Sequence, residues 1–130
     1  MPEMSTVLVV EDKAEARRPM AKLLRQEGYN VLTASDAYGM AAAIRNERPN
    51  LVLLDVGIPP VDGLTMLALV REESPQNHFP VILATGYSDE QTCARAQQLG
   101  IKEHLVKSKF TPDELLAAVR KHMGTPTPAS

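Results

Sequence analysis

Three short runs in this chain are apolar at every position: Val7 to Val10, Leu51 to Leu54 and Val81 to Ala84. A strand with one face in water alternates apolar and polar side chains. A strand that is apolar throughout needs cover on both faces, which a parallel sheet flanked by helices supplies. Two weaker runs fit the same role, Val31 to Ala34 and Leu105-Val106 extended back through His104. Stretches of helical period separate and follow the five runs, so the order reads β-α five times over. Short strands joined by crossover helices force a parallel sheet with helices on both faces. The expected fold is therefore α/β, a single doubly wound (βα)5 domain.

The helix ends carry local signals. Met20, Leu23, Leu24 and Glu27 fit a helix from about Lys13, with Gly28 placed to stop it as a left-handed cap. Ala37 to Arg48 is Ala-rich and ends before Pro49. Asp62 can cap a helix from Gly63 to about Glu73, whose Leu64, Leu67, Ala68 and Arg71 stem share a face. Ser88-Asp89-Glu90-Gln91 has capping-box spacing, and Gly100 is placed to end the helix that follows. Thr111-Pro112-Asp113-Glu114 is a stronger box, with Thr as cap, Pro at the first helical position and Glu three after the cap.

Size and charge narrow the function classes. A chain of 130 residues suits one domain with one unstapled core. Fourteen Lys and Arg against 16 Asp and Glu give a net charge of −2, which argues against a broadly basic nucleic-acid surface. Cys93 has no second cysteine to pair with, and in a helix pattern it reads as a small packing residue. His78 and His122 read as surface residues. The first six residues lack the pattern of a signal peptide, and no apolar run approaches the ~18 residues that span a bilayer. A soluble domain in a reducing, cytoplasmic setting is expected, with residues 5–123 folded and 124–130 a flexible tail or the start of a linker.

Open parallel sheets bind ligands beyond the carboxyl ends of their strands. Here those ends carry Glu11 and Asp12, then Asp55, then Thr85, then Lys107. Three carboxylates gathered at one edge repel, and Lys107 offsets a single charge. The remaining charge of about −2 calls for a hard divalent cation, and oxygen-only ligands favour Mg2+ over zinc. Such a site suits phosphoryl transfer. An Asp carboxylate can accept a phosphoryl group as an acyl phosphate, while the ion, Lys107, the Thr85 hydroxyl and nearby backbone N–H groups supply countercharge.

With these residues in view, the chain resembles the receiver domain of two-component response regulators. Val7-Leu8-Val9-Val10-Glu11-Asp12 resembles the family's first strand and acidic pair. Leu53 to Gly63, with Asp55, Pro59 and Asp62-Gly63, resembles its phosphoacceptor loop. Thr85-Gly86 and Lys107 match the hydroxyl residue with its small neighbour and the family lysine. The resemblance covers about Val7 to Met123. It implies a flavodoxin-like five-stranded sheet of order 2-1-3-4-5, and a phosphoacceptor signalling domain rather than an enzyme acting on other substrates. Asp55 would take a phosphoryl group from a histidine kinase or phosphotransfer protein. Mg2+ would be held by Asp12, Asp55 and the Gly57 carbonyl, with Glu11 acting through water. The backbone N–H groups of Val56 and Gly86 would contact the phosphoryl oxygens.

Thr85 and His104 occupy the family's switch positions, His104 standing where the family carries an aromatic residue. Signalling would use about Ser88 to Met123, acting on an effector protein or an effector domain beyond this chain. A weak homodimer is a further expected partner mode. After Lys107 the family usually has a cis proline, whereas this chain has Ser108. A cis bond before Ser costs ~3–4 kcal/mol against ~0.5–1 before Pro, so a trans bond with a rebuilt loop is expected. Tyr87, two residues past Thr85, is placed either to pack or to screen the acyl phosphate from water.

Other readings fit less of the chain. A flavin-binding protein of the same sheet order needs a phosphate cradle after the first strand, where Glu11-Asp12 would repel phosphate. An aspartyl phosphatase wants a second Asp two residues past the nucleophile, where Gly57 stands. A degenerate receiver, binding partners without phosphorylation, draws only on the unusual His104 and Ser108.

Overall fold

The architecture follows from a computed structural model of the chain, which describes residues 5–55, 63–73, 79–85, 90–101, 103–106 and 111–123. Five strands, β1 (Thr6–Val10), β2 (Asn30–Ala34), β3 (Leu51–Leu54), β4 (Val81–Thr85) and β5 (Glu103–Val106), alternate with five helices. These are α1 (Ala14–Gln26), α2 (Ala37–Glu47), α3 (Gly63–Glu73), α4 (Glu90–Gln98) and α5 (Pro112–Met123). All strand pairs are parallel and the order is β2-β1-β3-β4-β5. The chain reverses direction across the sheet between β1 and β3, which creates a crevice at their carboxyl ends.

Pleat alternation splits the core into two layers. Leu8, Val10, Val52, Leu54, Val81 and Leu83 pack under α2, α3 and α4, against residues such as Met40, Ile44, Leu67 and Val70. Val7, Val9, Leu51, Leu53 and Ile82 face α1 and α5, against Leu24, Leu115 and Val119. The three all-apolar runs are buried on both faces, as their composition demanded. Burying a Leu or Val side chain is worth ~1.5–3 kcal/mol, so these two layers carry most of the favourable energy of folding.

Most helix signals act as expected. Gly28 and Gly100 take positive φ, 100° and 79°, just past α1 and α4. A cap not read from the sequence also forms at α2, where the Asp36 carboxylate accepts from Gly39 N at 2.7 Å. At α5, Glu114 N donates to Thr111 Oγ1 at 3.1 Å. The caps expected of Asp62 and Ser88 lie outside the described residues.

Three details differ from expectation. Helix α2 stops at Glu47, and Arg48 forms the left-handed cap itself at φ 47°, a conformation glycine usually supplies. β1 starts one residue earlier than its apolar run because its edge is tied. Thr6 N donates to Asn50 Oδ1 at 2.8 Å, and Asn50 N returns a bond to Thr6 O at 2.8 Å. His122 is not a surface residue: it is half-buried, and its Nε2 is buried without a hydrogen-bond partner. His78 lies outside the described residues, and Cys93 falls within α4.

Arg71 explains why a charged residue continued the apolar face of α3. Its guanidinium donates to Leu99 O and, at 3.0 Å, to Phe79 O, and it lies 5.3 Å from the centre of the Phe79 ring. Burial pushes its pKa down. One side chain thereby staples α3 to the entry of β4 and the exit of α4.

Candidate functional site

Sheet register decides which strand-end residues meet. Val10 pairs with Leu54 across β1 and β3, so the next residues, Glu11 and Asp55, leave the sheet side by side. Asp55 N donates to Val10 O at 3.1 Å, which prolongs the ladder by one bond and fixes the start of the Asp55 side chain. Glu11 N donates to Ala34 O at 3.0 Å and anchors the neighbouring strand end in the same way. Glu11 and Asp55 also share the parity of Val9 and Leu53, so the pleat sends them towards one face.

The outcome is a compact group of oxygens. Glu11, Asp12 and Asp55 each offer a carboxylate oxygen, and the three lie within 4.8 Å of one another. Glu11 is fully buried, Asp55 is 9% exposed, and Asp12 is open to water. Two unit charges at that spacing repel by roughly 3 kcal/mol at an effective dielectric near 20, and by less where Asp12 meets solvent. Holding two buried carboxylates beside a third costs stability unless a cation joins them. The donor set is oxygen only, mixing buried and solvent-facing carboxylates. That fits a hard ion that keeps part of its water shell, so the residues suit Mg2+.

The other strand ends are placed by backbone. Leu54 pairs with Leu83, so Thr85 ends β4 just beyond the level of Asp55 on the adjacent strand. Thr85 in turn pairs with Val106, the residue before Lys107, while His104 pairs with Leu83 further back in β5. The sheet therefore brings Glu11, Asp12, Asp55 and Thr85 to one edge and keeps His104 two residues short of the end of β5. Val56, Gly57, Gly86, Tyr87, Lys107 and Ser108 lie outside the described residues.

One residue of the site is new relative to the sequence reading. Arg17, in the first turn of α1, donates from Nη1 to the Glu11 carbonyl at 2.9 Å. The only signal for it was its spacing, six residues after Glu11 across a tight strand-to-helix turn. Lys13 N, in the same turn, points at Glu11 Oε1 at 3.4 Å.

The likeness of this chain to known proteins is one of family and fold. Residues 7–120 match the response regulator receiver domain family. The chain is 31% identical over 122 residues to Protein PilG of Pseudomonas aeruginosa, covering 94% of this chain and 90% of that protein. It spans about half or less of the length of seven further curated relatives. Among solved structures it superposes on chemotaxis protein CheY4 of Vibrio cholerae with a TM-score of 0.84 and 26% identity, covering 93% of this chain and 100% of that one. It also resembles a complex of CheX and CheY with BeF3 and Mg2+ from Borrelia burgdorferi, with a TM-score of 0.79 and 25% identity, covering 89% of this chain and 87% of that one.

Proposed function

The chain belongs to the response regulator receiver domain family, and from that premise we propose that Asp55 accepts a phosphoryl group in a Mg2+-dependent reaction that switches a protein-binding surface. The observation that carries the proposal is the convergence of Glu11, Asp12 and Asp55 at the carboxyl edge of the sheet, with ligand oxygens within 4.8 Å.

Asp12 and Asp55 would hold the ion directly, with the Gly57 carbonyl, and Glu11 would act through a water. When bound, Mg2+ supplies two positive charges against the phosphoryl oxygens. An Asp55 carboxylate oxygen attacks the phosphorus of a phosphohistidine, and the P–N bond breaks as the P–O bond forms. The imidazole of the donor leaves and takes up a proton. Near-complete burial keeps the Asp55 side chain in one place, so little ordering remains to be done when the donor arrives. The Thr85 hydroxyl, the Lys107 ammonium and the N–H groups of Val56 and Gly86 are the proposed donors to the phosphoryl oxygens. Water attack on the acyl phosphate later returns inorganic phosphate and the free carboxylate.

Phosphorylation takes the group from −1 to about −2 and adds three acceptor oxygens, which draws Thr85 inward. His104, on the neighbouring strand, is the proposed companion of that movement. The donor would be a histidine kinase or a histidine phosphotransfer protein, and the output would pass to an effector protein or domain. The Borrelia relative, solved with Mg2+, BeF3 and a second protein, supports both the ion and a protein partner.

The test is labelling by acetyl phosphate with and without Mg2+. Wild type should gain one acid-stable, hydroxylamine-labile phosphoryl group in Mg2+ and none in EDTA, and Asp55→Asn should stay unlabelled. Equal labelling of Asp55→Asn, or labelling that ignores Mg2+, would overturn the assignment.

A further inference from the structure

Helix α1 begins with an awkward sequence. Its cap position is Lys13, whose ammonium cannot accept an N–H, and no side-chain cap bond forms there. Five residues into the helix, Pro19 removes the N–H that the Glu15 carbonyl would otherwise receive. The start of α1 thus lacks a side-chain cap and, at the Glu15 carbonyl, one backbone bond, although the acidic turn that it follows has to keep a fixed geometry.

Contacts to Glu11 tie the start of the helix to the acidic turn. The Lys13 N–H points at Glu11 Oε1 at 3.4 Å, a long contact that ties the turn ahead of the helix. Arg17, half-buried, reaches back from the helix to the Glu11 carbonyl at 2.9 Å. Arg17 N also donates to Lys13 O at 2.9 Å, and Glu11 N to Ala34 O at 3.0 Å. The segment from residue 11 to 17 is therefore a closed ring, fastened to β2 at one end and locked by the Arg17 guanidinium at the other.

We propose that Arg17 is a positioning residue for the acidic site: by holding the Glu11 carbonyl it fixes the Glu11–Asp12 peptide plane, and so the directions in which both carboxylates leave the chain. The inference rests on the Mg2+ reading given above. It carries a sign that a simple charge effect lacks. Arg17 is a cation beside a cation site, so by Coulomb's law alone its removal should tighten Mg2+ binding. Loss of a fixed carboxylate geometry should weaken it instead. Partners that orient metal ligands typically contribute ~10–100-fold in affinity.

The experiment titrates Mg2+ into wild type, Arg17→Met and Arg17→Lys, following backbone amide NMR shifts, with urea midpoints and amide exchange of Asp12 and Lys13 measured on the same samples. Arg17→Met should bind Mg2+ about 10-fold more weakly and exchange the Lys13 amide faster. Arg17→Lys, which keeps the charge and one donor, should fall between it and wild type. If Arg17→Met fails to fold, Arg17→Lys should still show weaker binding with a near-normal urea midpoint. Unchanged or tighter Mg2+ binding in Arg17→Met would overturn the proposal. So would a loss in Arg17→Lys as large as that in Arg17→Met. Should wild type itself bind no Mg2+, the reading of the site fails, while amide exchange still judges the latch: faster exchange in Arg17→Met supports it, and unchanged exchange refutes it.

Discussion

Glu11 and Asp12 are adjacent in the chain yet occupy opposite environments, one sealed and one in water. A sealed carboxylate holds its geometry, and an exposed one leaves room for solvent on an ion. The same crowding makes the unliganded site a point of stored repulsion. Asp12→Asn should therefore raise the urea-unfolding stability of the Mg2+-free protein by about 1 kcal/mol, while abolishing the stabilisation expected from Mg2+ in wild type. A variant less stable than wild type in EDTA would contradict this. The carboxylates were legible in the sequence because strand ends are legible. Arg17 was not, since a side chain reaching back to a carbonyl leaves no periodic trace and a helical Arg reads as solvent-facing. His122 misled for a related reason: its polarity suggested the surface, whereas its place on α5, three residues after the fully buried Val119, turns it inward.

At the level of elements, capping chemistry carried over well where the cap residue could accept a hydrogen bond. Thr111 holds Glu114 N as expected, and Asp36, which the sequence reading passed over, holds Gly39 N. Thr111→Ala should cost about 1 kcal/mol in urea unfolding, without changing the Mg2+ affinity of a site built from β1 and β3. A loss below about 0.3 kcal/mol would mean that Pro112 and the acidic first turn suffice to start α5. Where the cap residue cannot accept, as at Lys13, no side-chain cap bond forms, and Arg17 ties the helix start to the Glu11 carbonyl instead. Arg48 is a comparable case: no rule marks an arginine as a left-handed cap, and Pro49 after it signals only that the helix must end.

Across the whole molecule, a cation held in the crevice between β1 and β3 would couple folding to ligand. A cation that binds only when both strand ends are in register stabilises the native state by RT ln(1 + [L]/Kd), about 2.7 kcal/mol at a hundredfold excess over Kd. For a domain of this size that should raise Tm by roughly 10 °C. Calorimetry in Mg2+ against EDTA would measure it. Asp55→Asn should remove most of the rise, and a wild-type Tm indifferent to Mg2+ would count against the metal site. No helix among the described residues is long and apolar enough to cross a membrane.

Chain order, the parallel sheet and the identity of the strand-end residues were determined by the sequence alone, because burial on two faces, helical periodicity and turn chemistry are all written in neighbouring residues. What only the tertiary structure decided is register. The pairing of Val10 with Leu54 brings Glu11 against Asp55, and the turn after β1 lets Arg17 reach the Glu11 carbonyl. Both depend on how elements dock through shared hydrogen bonds and packed layers, a property of contacts between distant segments.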